Sequence, residues 1–263
     1  MTKYNSYIIC TSPRSGSTLL CKLLGATGIS GNPGSHFHEP SLQAWLEYYG
    51  LDNGEAEQER ETLERIFLAA MEKGSRNTGV FGLRLQRHSF DFFMEKLGLL
   101  HPDVSSDPER LEAVFGRTLF IHLTRPDKLA QAVSYVKAEQ TGLWHRAPDG
   151  TELERLAPPA EPVYDEGEIR ATCERFTAFD RDWQTWFEVQ GIEPFRITYD
   201  DLSADPQGLL RDVLEALGLD GTVAGSVTPG VARLADATNE AWVKRFRQEE
   251  VLPVSCQLPR YVE

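Results

Sequence analysis

Between an apolar segment ending at Cys10 and a second apolar run opening at Leu19 lies Thr11-Ser12-Pro13-Arg14-Ser15-Gly16-Ser17-Thr18. Small residues of this kind can present backbone N–H groups and hydroxyls at the start of a helix, where the dipole favours an anion. Gly16 permits close backbone approach, and Arg14 can fork onto phosphate or sulfate oxygens. The loop lacks the equipment for Mg²⁺-ATP. A G-x-x-x-x-G-K-[ST] loop needs a lysine that reaches the outer phosphates, and Ser17 stands in its place. The dinucleotide fingerprint G-x-G-x-x-G is absent. A tyrosine-phosphatase loop starting at Cys10 would need an arginine where Gly16 stands.

A second cation, Arg125, directly follows the apolar run 117–124, and Ser134 lies nine residues further on. A strand end and the inner face of the next helix can bring such a pair to one phosphate. Two separate anion anchors suit a ligand with phosphates at both ends.

The elements that must carry these residues follow from periodicity. Residues 4–10, 79–85, 117–124 and 194–199 are short and rich in β-branched and aromatic side chains, and they read as strands. Helices are expected after the first loop, ending at Gly25 or Gly28, and over 55–73, 89–99, 128–140, 166–190, 206–217 and 240–250. Ile169, Thr172, Phe176, Phe179, Trp183 and Trp186 recur at helical steps and read as a core-facing stripe. Residues 145–165, rich in proline and acid, read as a loop, a lid or a partner-binding insertion. Residues 218–239 read as loop and 251–263 as tail. Strands alternating with helices predict an α/β fold, a mostly parallel sheet flanked by helices, as one domain over 1–263. Chemistry is then expected at the carboxyl ends of the strands, after Cys10, Leu85, Thr124 and Tyr199.

The 263 residues are 41% hydrophobic and 25% charged, an ordinary globular balance. Lys plus Arg is 27 and Asp plus Glu is 40, so the net charge is −13. That disfavours non-specific binding of nucleic acid or of an anionic membrane, though not a small anion in a local basic pocket. Four cysteines, Cys10, Cys21, Cys173 and Cys256, make no disulfide scaffold and no zinc-ligand spacing. The amino terminus has no signal-peptide core, and no apolar run approaches the roughly 20 residues of a transmembrane helix. A cytoplasmic protein is the expectation.

Together these motifs carry a resemblance. SPRSGSTLL over residues 12–20 resembles the 5′-phosphosulfate loop of sulfotransferases, in which Lys or Arg precedes Ser-Gly-[ST]-[ST]. Arg125-Pro126 with Ser134 is similar to their 3′-phosphate motif. Ile197-Thr198-Tyr199-Asp200-Asp201-Leu202 is similar to the Tyr-[Asp/Glu]-Asp-Leu segment that follows a late strand. The stretches ATGISGNP, GVFGLRL, HLTRPDKLAQAVSY and RLADATNEAWVKRFR narrow the likeness to the bacterial Stf0 sulfotransferases, over about residues 4–249.

The resemblance implies a P-loop NTPase-like fold and a homodimer. It also implies 3′-phosphoadenosine 5′-phosphosulfate (PAPS) as donor, with PAP as product and no metal. The implied acceptor is a hydroxyl of a carbohydrate or glycolipid. Pro13, Arg14, Ser15, Gly16, Ser17 and Thr18 would bind the 5′-phosphosulfate, and Arg125 and Ser134 the 3′-phosphate. The stretch from Arg233 to Trp242 would close over the adenine end. Arg84 stands where a lysine lies on the family's second strand, and with Arg14 it would stabilise the leaving phosphate. The chain departs from the family at the base. A glutamate is expected in a Pro-x-Glu-aromatic context, and Pro33-Gly34-Ser35-His36 places Ser35 there. The base is then sought among His36, His38 and Glu39, in that order, since a neutral imidazole suits proton abstraction near neutral pH. Trp45, Tyr48, Tyr49 and Trp144 could stack on a sugar, although core packing is the commoner use of such residues. Two other readings compete. A small-molecule kinase with a degenerate loop would hydrolyse Mg²⁺-ATP, and a non-catalytic nucleotide-binding module would hold the donor without transfer.

Overall fold

A computed structural model describes residues 2–52, 58–228, 230 and 236–251. The chain begins β1 (Ser6–Thr11), α1 (Ser17–Ala26), α2 (Leu42–Tyr49), α3 (Glu59–Ser75), β2 (Phe81–Gln86), α4 (Arg87–Leu100), α5 (Asp107–Phe115) and β3 (Thr118–Thr124). It continues with α6 (Lys128–Thr141), β4 (Leu143–Arg146), β5 (Glu152–Arg155), α7 (Glu166–Gln190), β6 (Phe195–Thr198), α8 (Tyr199–Ala204), α9 (Pro206–Leu217) and α10 (Ala237–Val251). Contacts divide it into two compact units, Met1–Pro126 with Phe176–Val231, and Asp127–Arg175 with Ala232–Glu263.

The first unit is organised by a parallel sheet of order β2-β1-β3-β6. Successive side chains of a strand point to opposite faces, and here each face has its own core. Ile8 and Cys10 of β1 join Leu83, Leu85 and Phe120 in a core completed by Phe67, Phe93, Trp183 and Phe187. Tyr7 and Ile9 join Ile121, Leu123 and Ile197 in the other, with Leu20, Leu24, Leu210 and Leu214. Burial on both faces is why these strands read as unbroken apolar runs rather than alternating ones. Each such side chain contributes about 1.5–3 kcal/mol on burial. The expected α/β architecture, a parallel sheet flanked by helices and opened by a P-loop-like strand–loop–helix, is therefore present.

The topology also places the site. β2 and β3 flank β1 on opposite sides, and in open α/β sheets ligands bind beyond the carboxyl ends of the strands at such a reversal of strand order. The Thr11 hydroxyl donates to the Leu123 carbonyl at 2.8 Å and ties the two strands together at that end.

The second unit has its own small core, in which Ala132, Val133 and Val136 of α6 meet Ile169 of α7 and Trp242 and Phe246 of α10. The expectation of a plain loop over 145–165 is corrected here. β4 and β5 pair as an antiparallel ribbon around Asp149-Gly150, with Gly150 at φ 90°. Proline content masked the Asp-Gly turn signal. Helices α2 and α5 also went unread, although Ser41 and Ser106 cap them by accepting from Ala44 and Glu109 amides. The expected last strand stops one residue early. Tyr199 opens α8, because the Thr198 hydroxyl caps that helix by accepting from the Asp201 amide. Cys10 and Cys21 are buried and Cys173 is half-buried, while Cys256 lies outside the described residues. No described helix is long and apolar enough to cross a membrane.

Candidate active site

The loop from Ser12 to Gly16 turns β1 into α1, and it is fastened from several directions. The Thr11 and Ser15 hydroxyls share a 2.6 Å hydrogen bond. The Trp183 indole N–H of α7 donates to the Thr11 carbonyl at 2.9 Å. Ser12 and Ser15 are fully buried, and Ser12 Oγ lies 3.5 Å from Asp180 Oδ1. Arg14 at φ 60° and Gly16 at φ 91° both take the left-handed region. That conformation costs a non-glycine residue about 1–2 kcal/mol, and it persists only where the surroundings over-determine it. The N-cap of the ten-residue helix α1 is Gly16, which has no side chain to bond the first amides, so the amino end of the helix retains anion-binding character. Gly16 is required for a second reason besides its φ. A Cβ there would stand 2.6 Å from Tyr199 Cδ2.

Arg84 joins this loop to the residues that follow α1. Residues 33–35 run beside β2, with Gly34 bridged to Leu83 and the Arg84 amide donating to the Gly34 carbonyl at 2.9 Å. That register brings Ser35 to the Arg84 side chain. Arg84 Nε donates to Ser35 Oγ at 2.8 Å and Nη1 to Thr18 Oγ1 at 2.7 Å. Among the described residues no carboxylate ion-pairs with it. A half-buried guanidinium held by two neutral hydroxyls keeps its charge for an anion.

Arg125 follows β3 and is 8% exposed. Its Nη1 donates to the Arg14 carbonyl at 3.3 Å, and its guanidinium carbon lies 4.5 Å from the centre of the Tyr199 ring. The structure thus brings together Arg14, Gly16, Arg125 and Tyr199, from three separate stretches of sequence. Ser134 lies buried on α6 in the second unit. Trp242 belongs to that unit's core, with its indole 5.8 Å from the Tyr164 ring, so packing accounts for it. Arg233 lies outside the described residues.

The base candidates separate by burial. His36 is 2% exposed and its ring stacks on Phe81. Its Nε2 lies 3.3 Å from the Asn32 carbonyl. Burial pushes its pKa down to about 4, opposed in part by that hydrogen bond. Of the three candidates His36 is the enclosed one, and the exposed His38 and Glu39 are the more accessible. His38 and Glu39 are exposed, with His38 Nε2 3.6 Å from Glu39 Oε1. Desolvation, with help from the neighbouring His88, lowers the His38 pKa, and Glu39 opposes this. Trp45 is core, and its N–H donates to the Glu39 carbonyl at 2.6 Å. The Tyr49 hydroxyl donates to the His36 carbonyl at 3.0 Å. Tyr48 is exposed, with Lys73 Nζ 3.7 Å from its ring centre. Trp144 lies beside Tyr135 in the second unit.

Two residues of the site escaped sequence reading. Trp183 was legible only as a packing residue, since nothing in a helical stripe announces an indole N–H aimed at a strand end. Tyr199 was visible inside a motif, but its partners are remote in sequence. Among the described residues no cluster of three His, Cys, Asp or Glu could hold a metal ion.

The chain is 29% identical to a trehalose 2-sulfotransferase of Mycobacterium tuberculosis (strain ATCC 35801 / TMC 107 / Erdman), covering 92% of this chain and 94% of that protein. It is 28% identical to a trehalose 2-sulfotransferase of Mycolicibacterium smegmatis (strain ATCC 700084 / mc(2)155), covering 93% and 95%. Among solved structures, the sulfotransferase domain from the curacin biosynthetic pathway aligns over 96% of this chain and 98% of that one, with a TM-score of 0.44 and 17% identity. The sequence profile of the Stf0 sulphotransferases matches residues 6–249. With a match over nearly its whole length, the chain belongs to the Stf0 sulphotransferase family and is a sulfotransferase.

Proposed function

We propose that the protein moves a sulfuryl group from PAPS to a hydroxyl of a carbohydrate acceptor. The observation that carries this is the buried, uncapped loop at the start of α1, with Arg84 bonded to its Thr18. Such a site offers a polyanion backbone amides and the Arg84 guanidinium. The residues present therefore fit a donor of this kind. Arg14, Ser15, Gly16, Ser17 and Thr18, with Pro13 shaping the turn, hold the 5′-phosphosulfate. Arg125 and Ser134, carried over from the resemblance, hold the 3′-phosphate. The family match runs through both units, which supports reading them as one sulfotransferase domain. The homodimer rests on the resemblance alone, and light scattering tests it. The relatives' printed names support a sugar such as trehalose as the acceptor class.

In the transfer, the acceptor oxygen attacks sulfur in line while the bond to the bridging oxygen breaks, and PAP leaves. Charge develops on the bridging oxygen, where Arg84 and Arg14 stabilise it. The acceptor proton goes to His38, the exposed imidazole of the 36–39 segment, with Glu39 beside it. Ser35 has no basicity to offer, and its oxygen already accepts from Arg84.

Thermal unfolding with PAP, against ATP plus Mg²⁺, tests the donor. A ligand at about 100 times its Kd adds about 2.7 kcal/mol, which raises Tm measurably. PAP is expected to stabilise and ATP plus Mg²⁺ is not; the reverse result would favour a kinase. Sulfation of trehalose by PAPS then tests the acceptor class, with other disaccharides and glycolipids as comparisons.

A further inference from the structure

We infer that Gln86 is an acceptor-binding residue, whose side-chain amide hydrogen-bonds a hydroxyl of the sugar that receives the sulfuryl group. The inference rests on the sulfotransferase reading above and deepens it, since it names a group that reads the acceptor. Gln86 closes β2, and the parallel register sets it beside Thr11, where β1 passes into the loop. Leu83 and Leu85 lie in the core on one face of the sheet. Side chains alternate along a strand, so Gln86 shares the other face with Arg84, whose guanidinium bonds Thr18 of α1. The amide thus stands two residues beyond Arg84, at the carboxyl end of the strand, where ligands of such sheets sit.

The fold leaves the amide oxygen unused. Gln86 is 7% exposed, and its Oε1 is buried without a hydrogen-bond partner among the described residues. Gln86 occupies the N-cap position of α4, yet its side chain makes no capping bond. Its backbone carbonyl instead accepts from the Ser89 hydroxyl at 3.2 Å. An unpaired buried oxygen lowers stability, which is why native proteins keep few of them. The surrounding chemistry narrows what would pair with this one. The phosphosulfate of the donor offers oxygen acceptors only, and the loop amides and Arg84 supply their hydrogen-bond donors. An amide oxygen needs an O–H or N–H, and at the sulfuryl end of the donor it is the hydroxyl-rich acceptor that brings one. A primary amide both accepts and donates. Its last torsion is soft, so either end can turn to the sugar.

The test measures Tm, PAP affinity and the kinetics of sulfation by PAPS in wild type, Gln86→Met and Gln86→Leu, with trehalose, glucose and a glucosyl lipid as acceptors. Both variants should melt no lower than wild type, because an unpaired oxygen has been removed. KM for each acceptor that wild type sulfates should rise about tenfold, the usual worth of one hydrogen bond. The kcat and the PAP affinity should stay within about twofold. Analogues of that acceptor lacking one hydroxyl each should then divide. The one without the bonded hydroxyl should be poorer than its parent for wild type and equal to it for Gln86→Met. A lower Tm in both variants would show that the amide serves the fold and would overturn the inference. So would an unchanged KM, or a loss shared by PAP affinity. If wild type binds PAP but sulfates none of the three acceptors, the carbohydrate reading fails and this inference with it. That result is distinct from an active wild type that the substitutions leave unchanged.

Discussion

The loop at residues 12–18 and the segment at residues 33–39 both reach Arg84, yet they are built on different plans. In the loop, side chains and backbone are committed to the fold. Ser12 and Ser15 are fully buried, Thr11 is bonded through both its hydroxyl and its carbonyl, and Gly16 tolerates no added atom. The later segment is anchored at its middle by Phe37 and His36 in the core, and it ends in exposed His38 and Glu39. One wall of the site is thus set by the same contacts that stabilise the sheet. On the other, exposed residues can be exchanged at little cost to folding. A donor common to many enzymes suits the first wall, and an acceptor that differs between them suits the second.

The two plans can be separated by substitution, beginning with the residue they share. Arg84→Ala is expected to lower kcat by about 10²–10³-fold, the usual cost of removing one donor aimed at developing charge. The PAP-induced rise in Tm should survive. Arg84→Lys should fall between, since one ammonium cannot reproduce the forked contacts to Ser35 and Thr18. If Arg84→Ala instead abolished PAP binding and left single-turnover chemistry intact, Arg84 would belong wholly to the donor wall.

His38→Ala should lower kcat by about 10²-fold, the lower range for loss of a general base, with PAP affinity unchanged. Because the His38 pKa is lowered from 6.5, the acid limb of the wild-type kcat/KM profile should lie below pH 6.5 and vanish in this variant. A profile with the same limb in both proteins would move the role to Glu39.

Gly16→Ala acts on the loop alone. The φ of 91° and the approach of Tyr199 should cost on the order of 1–3 kcal/mol of stability. Tm should fall and the response to PAP should weaken, while pH dependence stays as in wild type. A full PAP response in Gly16→Ala would show that the loop is less constrained than the contacts imply.

The smallest effect on turnover is expected from His36→Phe, which keeps the stacking on Phe81. The folded pKa of His36 is about 4, against about 6.5 when unfolded. Between these values the unfolded chain binds the extra proton, so stability rises with pH. The contribution is complete above about pH 6.5 and is lost as pH falls towards 4, amounting to about 3 kcal/mol across the window. Denaturation midpoints of His36→Phe should therefore depend less on pH than those of wild type over this range. Retained acid sensitivity in the variant would place the titrating group elsewhere.

The same contrast governs what could be read before the fold was known. The parallel strands were legible because burial on both faces leaves unbroken apolar runs, as in Ile8 to Cys10 and Leu119 to Leu123. The long helix over 166–190 announced itself by its stripe. The strand-to-helix turn at residues 12–18 was legible because small residues cluster there between two apolar runs. The β4–β5 ribbon was not, because none of its residues is buried and a two-stranded ribbon of that kind has little apolar pattern to show. Nor was the burial of His36 beside an exposed His38 legible. Two histidines two residues apart look alike in a sequence, and only packing against Phe81 and Asn32 tells them apart. Long-range partners, such as Trp183 with Thr11 and Tyr199 with Gly16, depend on contacts that local pattern does not carry.

The latch on Thr11 has a kinetic consequence. Its carbonyl is held by Trp183 and its hydroxyl by Ser15 and Leu123, so the loop is already ordered when the nucleotide arrives. The entropy of arranging that cradle is lost during folding and does not weigh against association. On the proposed reading, capture of the donor would need no closing of the cradle, and its rate would be set by diffusion and charge. With a net charge of −13, the protein repels a polyanion at long range and attracts it only near the arginines. Moderate salt should therefore speed nucleotide arrival by screening the distant repulsion, even as it hastens departure.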